Sequence, residues 1–292
     1  MSTSSDTTLS NRYHGGWVTY FVVIHLLGLT GLGYLISHAA WISTWGIAAF
    51  AVVYYFLCHL AITIEAHRFY AHRSFEAPAW FHYVMVCLFS GVMQGPIIWW
   101  AGKHLHHHAE SDKPGADPHT PRDGFWHAHC LWLMKHRGLA MPPPRYQAAF
   151  RRDQFAPGRW QSTYYWPLSL LMAFGVPTAV GLLVGDPLGG FLIGGCLRLV
   201  VQYHCTWVVN SLGHYWGERE HESSATNQIG VFGKVLAVLT VGESNHSGHH
   251  GQPGSYRIGR APGQWDPGAR VLEWLAHLGV CRQLNTRVST SA

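Results

Sequence analysis

Four histidine clusters recur along the chain: His67 and His72 in HRFYAH, His104, His107 and His108 in KHLHHH, His214 in NSLGH, and His246, His249 and His250 in NHSGHH. Crowding imidazoles is costly, because any protonated pair repels, and neutral imidazole is the commonest metal ligand among side chains. The spacing H-x-x-H-H occurs twice. On a helix, offsets of 0, +3 and +4 fall within an arc of about 100°, which predicts three imidazoles aimed at one place. His106 falls at about 200° and is expected to point away. Asn210 and His214 are four apart and share a helix face. His67 and His72 are five apart, about 140° around a helix, which suits ligands on either side of one centre or at a helix end.

Nine convergent histidines and Asn210 are enough for two metals. Imidazole suits zinc, copper, iron or nickel, but a structural zinc site closes at four ligands. Two five- or six-coordinate irons, with a water held by Asn210, fit the number. His25, His38, His59, His82, His136, His204 and His277 stand alone and are expected to be packing or interfacial residues. His119, His127 and His129 are candidates for outer donors that orient ligands. Carboxylates near the clusters (Glu65, Glu110, Asp112, Glu243) are few, so an all-nitrogen shell is expected. The chain has no G-x-S-x-G, Walker loop or G-x-G-x-x-G, and no Glu-x-x-His pair of the soluble di-iron type.

These side chains need a scaffold, and the composition says which kind. The 292 residues are 48% hydrophobic and only 12% charged, with 14 Trp and 22 His; a soluble domain carries roughly 25% charge. Four stretches are long enough to cross a bilayer: about 17–37, 44–64, 164–184 and 187–210. They form two hairpins, the second closed by GDPLGG at 185–190. The expected fold is all-α, with four membrane helices beneath a cytoplasmic cap built from about 65–163 and 211–292, in one integral-membrane domain over 1–292. The run 79–100 is also apolar, but a crossing there would separate the second histidine cluster from the first. It is expected to lie in the interface. Of 20 Lys and Arg, all but Arg198 lie outside the four spans, and neither outer loop has any. The positive-inside rule puts both termini and all the clusters in the cytoplasm. The net charge of +5 has no Lys/Arg-aromatic interleaving that would suggest nucleic acid. The six cysteines form no C-x-x-C and are expected to be reduced. No cleavable signal peptide is expected, and the Ser/Thr-rich ends are expected to be disordered.

The boxes and their flanking words, HRFYAHRSF, ADPHTPRDGFWHAH, NSLGH and GESNHSGHH, resemble the membrane fatty acyl desaturase family, specifically its acyl-CoA (delta-9, stearoyl-type) branch. The resemblance runs from about residue 50 to 280 and includes QWDPGARVLEWLAHLGV. It implies a mushroom-shaped fold and two irons held by His67, His72, His104, His107, His108, His214, His246, His249 and His250, with Asn210 holding a water. This is the set that spacing alone selects. It further implies O2 as co-substrate and a long-chain acyl thioester, most simply an acyl-CoA, which gains a cis double bond. Electrons are expected from a separate ferredoxin, rubredoxin or cytochrome b5-type donor with its reductase. Two departures touch the site: Ser247-Gly248 replaces the usual polar residue in the third box, and Lys103-His104-Leu105 replaces Asp-His-Arg at the second. The alternatives are hydroxylation or triple-bond formation on the same scaffold, a carrier-protein or lipid-linked substrate, or a membrane metal carrier. Phe69, Tyr70, Trp99, Trp100, Phe125 and Trp126 are candidate tunnel-lining residues.

Overall fold

The computed structural model describes residues 11–220, 225–228 and 230–286; the Ser/Thr-rich ends lie mostly outside these. The described residues contain no strand, only isolated bridges. In chain order the main helices are α1 (Gly15–Ser37), α2 (Ile42–Ala71), α3 (Ala79–Ser90), α4 (Ile97–Glu110), α5 (Phe125–His129), α6 (Ala156–Thr163), α7 (Tyr165–Leu183), α8 (Pro187–Tyr215), α9 (Gly230–Leu239), α10 (His246–Gly251) and α11 (Pro267–His277). Four of them, α1, α2, α7 and α8, are long and apolar enough to cross a membrane.

The outward faces of these four are apolar: Leu26, Leu29 and Ile36 on α1, Val52 and Val53 on α2, and Leu182 and Leu183 on α7 are exposed. Such a belt is stable against lipid, and glycine lets helix backbones approach where no hydrophobic drive separates helix from solvent. A Cβ at Gly31 of α1 would collide with the Leu192 carbonyl of α8, and one at Gly181 of α7 with the turn before α8. At that turn Asp186 accepts from Gly189 N (2.7 Å) and from the Tyr34 hydroxyl (2.9 Å), which ties the two hairpins together.

α2 and α8 do not stop at the expected boundaries of 64 and 210. They have 30 and 29 residues, about 45 Å each, against a hydrocarbon core of about 30 Å. That is about 15 Å more than a crossing needs, and the C-terminal ends of the two helices carry His67 on α2 and Asn210 and His214 on α8. From Ala61 onward α2 widens into π-helical hydrogen bonding, continued by His72 N donating to His67 O at 3.2 Å. Such insertions concentrate at functional sites.

The 79–100 run forms no helix long enough to cross. α3 has 12 residues and ends at Ser90. The turn that follows has left-handed backbone at Met93 (φ 49°) and Gly95 (φ 91°), and Pro96 precedes α4. Three side chains fix this turn. Arg198 donates to Gly91 O (3.0 Å), the Tyr165 hydroxyl accepts from Gly95 N (3.0 Å) and Gln161 accepts from Ile97 N (3.0 Å). Cysteines introduced at Glu76 and at Ala109, in a background cleared of reactive native thiols, are therefore expected to be labelled by an impermeant reagent from the same side of the membrane. Labelling from opposite sides would mean that the segment between them crosses.

Candidate metal centre

Each histidine cluster rides on an element that aims it at the same small volume. α2 carries His67 and is capped by His72, α4 carries His104, His107 and His108, α8 carries His214, and α10 carries His246, His249 and His250. The imidazoles divide into two adjoining groups. His67, His72, His104, His108 and His249 form one, and His107, His214, His246 and His250 form the other. The structure thus corrects the expectation that H-x-x-H-H aims three rings at one place. In both boxes the i,i+4 pair (His104/His108, His246/His250) shares a centre, while the i+3 member (His107, His249) turns to the other. The 100° arc is wide enough to face two neighbouring centres. The π register resolves the first box as well: with i→i+5 bonding, His67 and His72 come onto one face and into one group.

The Nε2 atoms crowd. In the five-histidine group His67 and His249 are 2.9 Å apart, His72 and His104 2.9 Å, His104 and His108 3.0 Å, and His108 and His249 2.7 Å. In the four-histidine group His107–His214, His214–His246, His246–His250 and His107–His250 stand at 3.1, 2.8, 3.2 and 3.3 Å. Tautomers decide what these contacts mean. His107 Nδ1 lies 2.9 Å from Asp117 Oδ2 and His214 Nδ1 lies 3.2 Å from Asp112 Oδ2. Asp117 already accepts the backbone amides of Asp112 and His119, so the imidazole supplies the proton and its Nε2 is a bare lone pair. Two lone pairs at 3.1 Å repel unless a cation lies between them. Ligands at right angles on metal–imidazole bonds of about 2.1 Å stand about 3.0 Å apart, so the residues fit two metal ions of more than tetrahedral coordination.

Burial first, and repulsion among neighbouring imidazoles second, hold His72, His104, His107, His108, His246, His249 and His250 well below the usual histidine range. They are neutral and ready to ligate. Burial also pushes the Asp117 carboxyl up to about 7; a cation on the far nitrogen of His107 would favour its ionised form. For Glu243 burial opposes ionisation, but His67 and Arg68 outweigh it and hold the carboxyl below its usual range. Glu243 Oε2 lies 2.6 Å from His67 Nδ1, off the axis of a regular hydrogen bond.

Asp117 escaped the sequence reading. The outer shell is not devoid of carboxylates: Asp112, Asp117 and Glu243 each back one ligand histidine. Glu65 is instead paired with His82 (2.9 Å) and Glu110 with Lys113 at the surface. Of the three candidate outer histidines, His119 stacks on His107 (centroids 4.3 Å). His129 turns to Ser211 (2.9 Å) and His204 (3.0 Å), and His127 lies beside Asp123 and Lys135; neither touches a ligand. His106 points away as expected and stacks on Tyr146. Ser247, the departure in the third box, accepts from Glu220 N (2.9 Å), and Gly248 passes close under the Ile258 carbonyl.

Beside the first group lies a cavity of about 310 Å³ that reaches from Trp17 and Trp166 to His104 and Asn210. Trp99 and Trp100 line it. Of the other candidate lining residues, Phe69 and Tyr70 are in the core, Phe125 packs on His129 and Trp126 is exposed. Gln94, also in the wall, donates to Thr206 Oγ1 (2.9 Å) and accepts from Trp100 Nε1 (3.3 Å).

Four apolar membrane-length helices and a buried polyhistidine cluster at their extended ends define an all-α membrane protein with a metal centre. A family model for the fatty acid desaturases matches residues 39–257. The chain is 33% identical over 245 residues to a "Probable acyl-CoA desaturase" of Schizosaccharomyces pombe, covering 81% of this chain and 48% of that protein. It is 32% identical over 277 residues to an sn-1 stearoyl-lipid 9-desaturase of Synechocystis sp. (94% and 81% covered). It is also 32% identical over 249 residues to the Delta-9 desaturase-like 5 protein of Arabidopsis thaliana (84% and 79%). The chain spans about half the length of the first of these and most of the other two. It belongs to the fatty acid desaturase family, a family of oxidoreductases.

His106→Ala is expected to retain bound metal, whereas His104→Ala, His107→Ala and His108→Ala each lose it, as read by metal analysis of purified protein. Asp117→Asn should weaken metal retention about 10- to 100-fold, the usual effect of removing a carboxylate behind a ligand histidine. Metal loss in His106→Ala would contradict the helical reading of the second box.

Proposed function

We propose that this protein carries out O2-dependent desaturation of a long-chain fatty acyl thioester, C16–C18, at a di-iron centre, introducing a cis double bond. The carrying observation is the five-and-four division of nine clustered imidazoles against one end of an apolar cavity. Removing two hydrogens from an unactivated alkyl chain is beyond general acid–base catalysis by the side chains present. Iron bound by His67, His72, His104, His108 and His249, and by His107, His214, His246 and His250, would supply an oxidant from dioxygen.

The protein's own residues do the rest. The cavity excludes water and orients the chain, with Trp100 and His104 stacked along its inner end (centroids 5.4 Å). The Gln94–Thr206 and Gln94–Trp100 bonds stiffen the wall there, which favours one bend of the acyl chain over others. Asn210, four residues before His214 and facing the same cavity, holds a water beside the four-histidine group. A second cavity of about 360 Å³ shares Trp132 with the first and is lined by Lys135 and Arg137, with His127 beside Asp123. Its two cations against one carboxylate suit a phosphate-bearing head group, which favours acyl-CoA over a neutral lipid. Lys103 lies between the two, donating to Arg137 O (3.3 Å), and burial brings its amine down to about 8. Electrons come from a separate ferredoxin, rubredoxin or cytochrome b5-type protein with its reductase. The excess of Lys and Arg on the histidine side supports a cytoplasmic site.

Reconstituted with O2, NAD(P)H and a suitable reductase–carrier pair, the iron-loaded protein is expected to convert stearoyl- or palmitoyl-CoA to a cis-monoene, identified by mass spectrometry with double-bond localisation. Omitting O2 or the electron donor should abolish turnover. A hydroxylated or acetylenic main product would refute the desaturase assignment.

A further inference from the structure

We propose that α9 is a helix that dips into the bilayer beside α2, and that lipid acyl chains are the partner of its outer face. This stands apart from the proposed reaction. α9 has the sequence GVFGKVLAVL; Gly233, Leu236 and Ala237 are buried while Val231, Phe232 and Val235 are 79%, 48% and 49% exposed. Those three form an apolar stripe that stays largely exposed, with only Phe232 partly met by Trp216.

Depth decides what covers it. At the C-terminal end of α9 the Tyr55 hydroxyl donates to the Leu239 carbonyl. Tyr55 stands thirteen residues past Ile42, the outer end of α2, hence about 20 Å down that helix and inside a hydrocarbon core of about 30 Å. The inner boundary is marked independently where Trp17, at the start of α1, stacks on Trp166, at the start of α7, as in an interfacial aromatic belt. Leu239 therefore lies at the depth of a lipid-facing stretch: Val52 and Val53, within a turn of Tyr55, are 57% and 58% exposed. The stripe on α9 continues that surface.

The other end of α9 has interfacial chemistry. Phe232 packs against Trp216 (centroids 6.2 Å) and the Lys234 ammonium lies 5.8 Å from the Trp265 ring. Trp216 and Trp265 are exposed, and an aromatic pair with a lysine whose stem lies along an apolar face is what the water–lipid boundary selects. A second copy of the chain would have to bury that ammonium; a bilayer leaves it at the surface. Four residues after Leu239, Glu243 contacts His67 and Arg68, so the lipid contact of α9 also anchors the approach to the third histidine box.

The test is photo-crosslinking of the full-length protein in phosphatidylcholine vesicles, with p-benzoylphenylalanine incorporated singly at Phe232 and at Val235. Leu29 on the outward face of α1 serves as the lipid-exposed reference and Arg151 as the water-exposed one; both are exposed. Phe232 exchanges one exposed aromatic ring for another, so folding is retained, and metal content checks this. Lipid adducts at Phe232 and Val235 are expected within about twofold of the yield at Leu29 and about tenfold above Arg151. Yields like those at Arg151, or crosslinked dimers in place of lipid adducts, would overturn the proposal.

Discussion

Nine imidazoles packed with neighbouring Nε2 atoms 2.7 to 3.4 Å apart are the constraint around which this molecule is arranged. Left alone, such a cluster is repulsive, and protonation would make it worse. The arrangement becomes stable when cations fill the two foci and carboxylates balance the far nitrogens. Asp117 and Asp112 do this for His107 and His214, and Glu243 lies against His67. Each carboxylate fixes a tautomer as well as a charge, so the ligating nitrogens are chosen before any metal arrives.

Holding the rings in register requires rigid supports on several sides, and buried cations supply much of this. Arg68 is about 1% exposed and joins the end of α2 to the segments on either side of the third box. It donates to Glu243 Oε1 (3.1 Å), Asp266 Oδ1 (2.8 Å) and the Tyr256 carbonyl (2.7 Å). Asp266 in turn caps α11 through Ala269 N. Removing one member of such a buried pair typically costs about 3–5 kcal/mol, because the survivor is left uncompensated. Arg198 acts differently. It has carbonyl partners at Gly194, Gly91 and Ala173, and so locks α7 and α8 to the turn that shapes the cavity wall.

Much of this was legible in the residues. The two H-x-x-H-H boxes, the Asn210–His214 pair and the phase of His106 need only helical geometry, and the four spans follow from their length and lack of charge. The division of the boxes between two centres was not legible, because a 100° arc cannot distinguish one focus from two neighbouring ones. The π register of Ala61–Ala71 leaves no compositional mark, so the sequence alone offered His67 and His72 as ligands on either side of one centre or at a helix end without saying that a widened helix brings them onto one face. Asp117 lies in a loop whose path depends on left-handed backbone at Asp112 and Gly115. Its approach to His107 is tertiary, and its place in the word ADPHTPRDGFWHAH beside the second box was the only available hint. That α2 and α8 run on past the membrane-length stretches was not legible either, because polar residues mark where an apolar stretch stops and not where the helix ends.

The central claim is that the imidazoles serve two cations, five on one and four on the other. The most direct measurement is the metal content of protein purified from iron-replete cells, joined to its Mössbauer spectrum. The account predicts about two irons per chain, little zinc, and two inequivalent nitrogen-ligated sites, since groups of five and four histidines cannot give identical environments. One iron per chain, or a chain filled with zinc that iron does not displace, would contradict it.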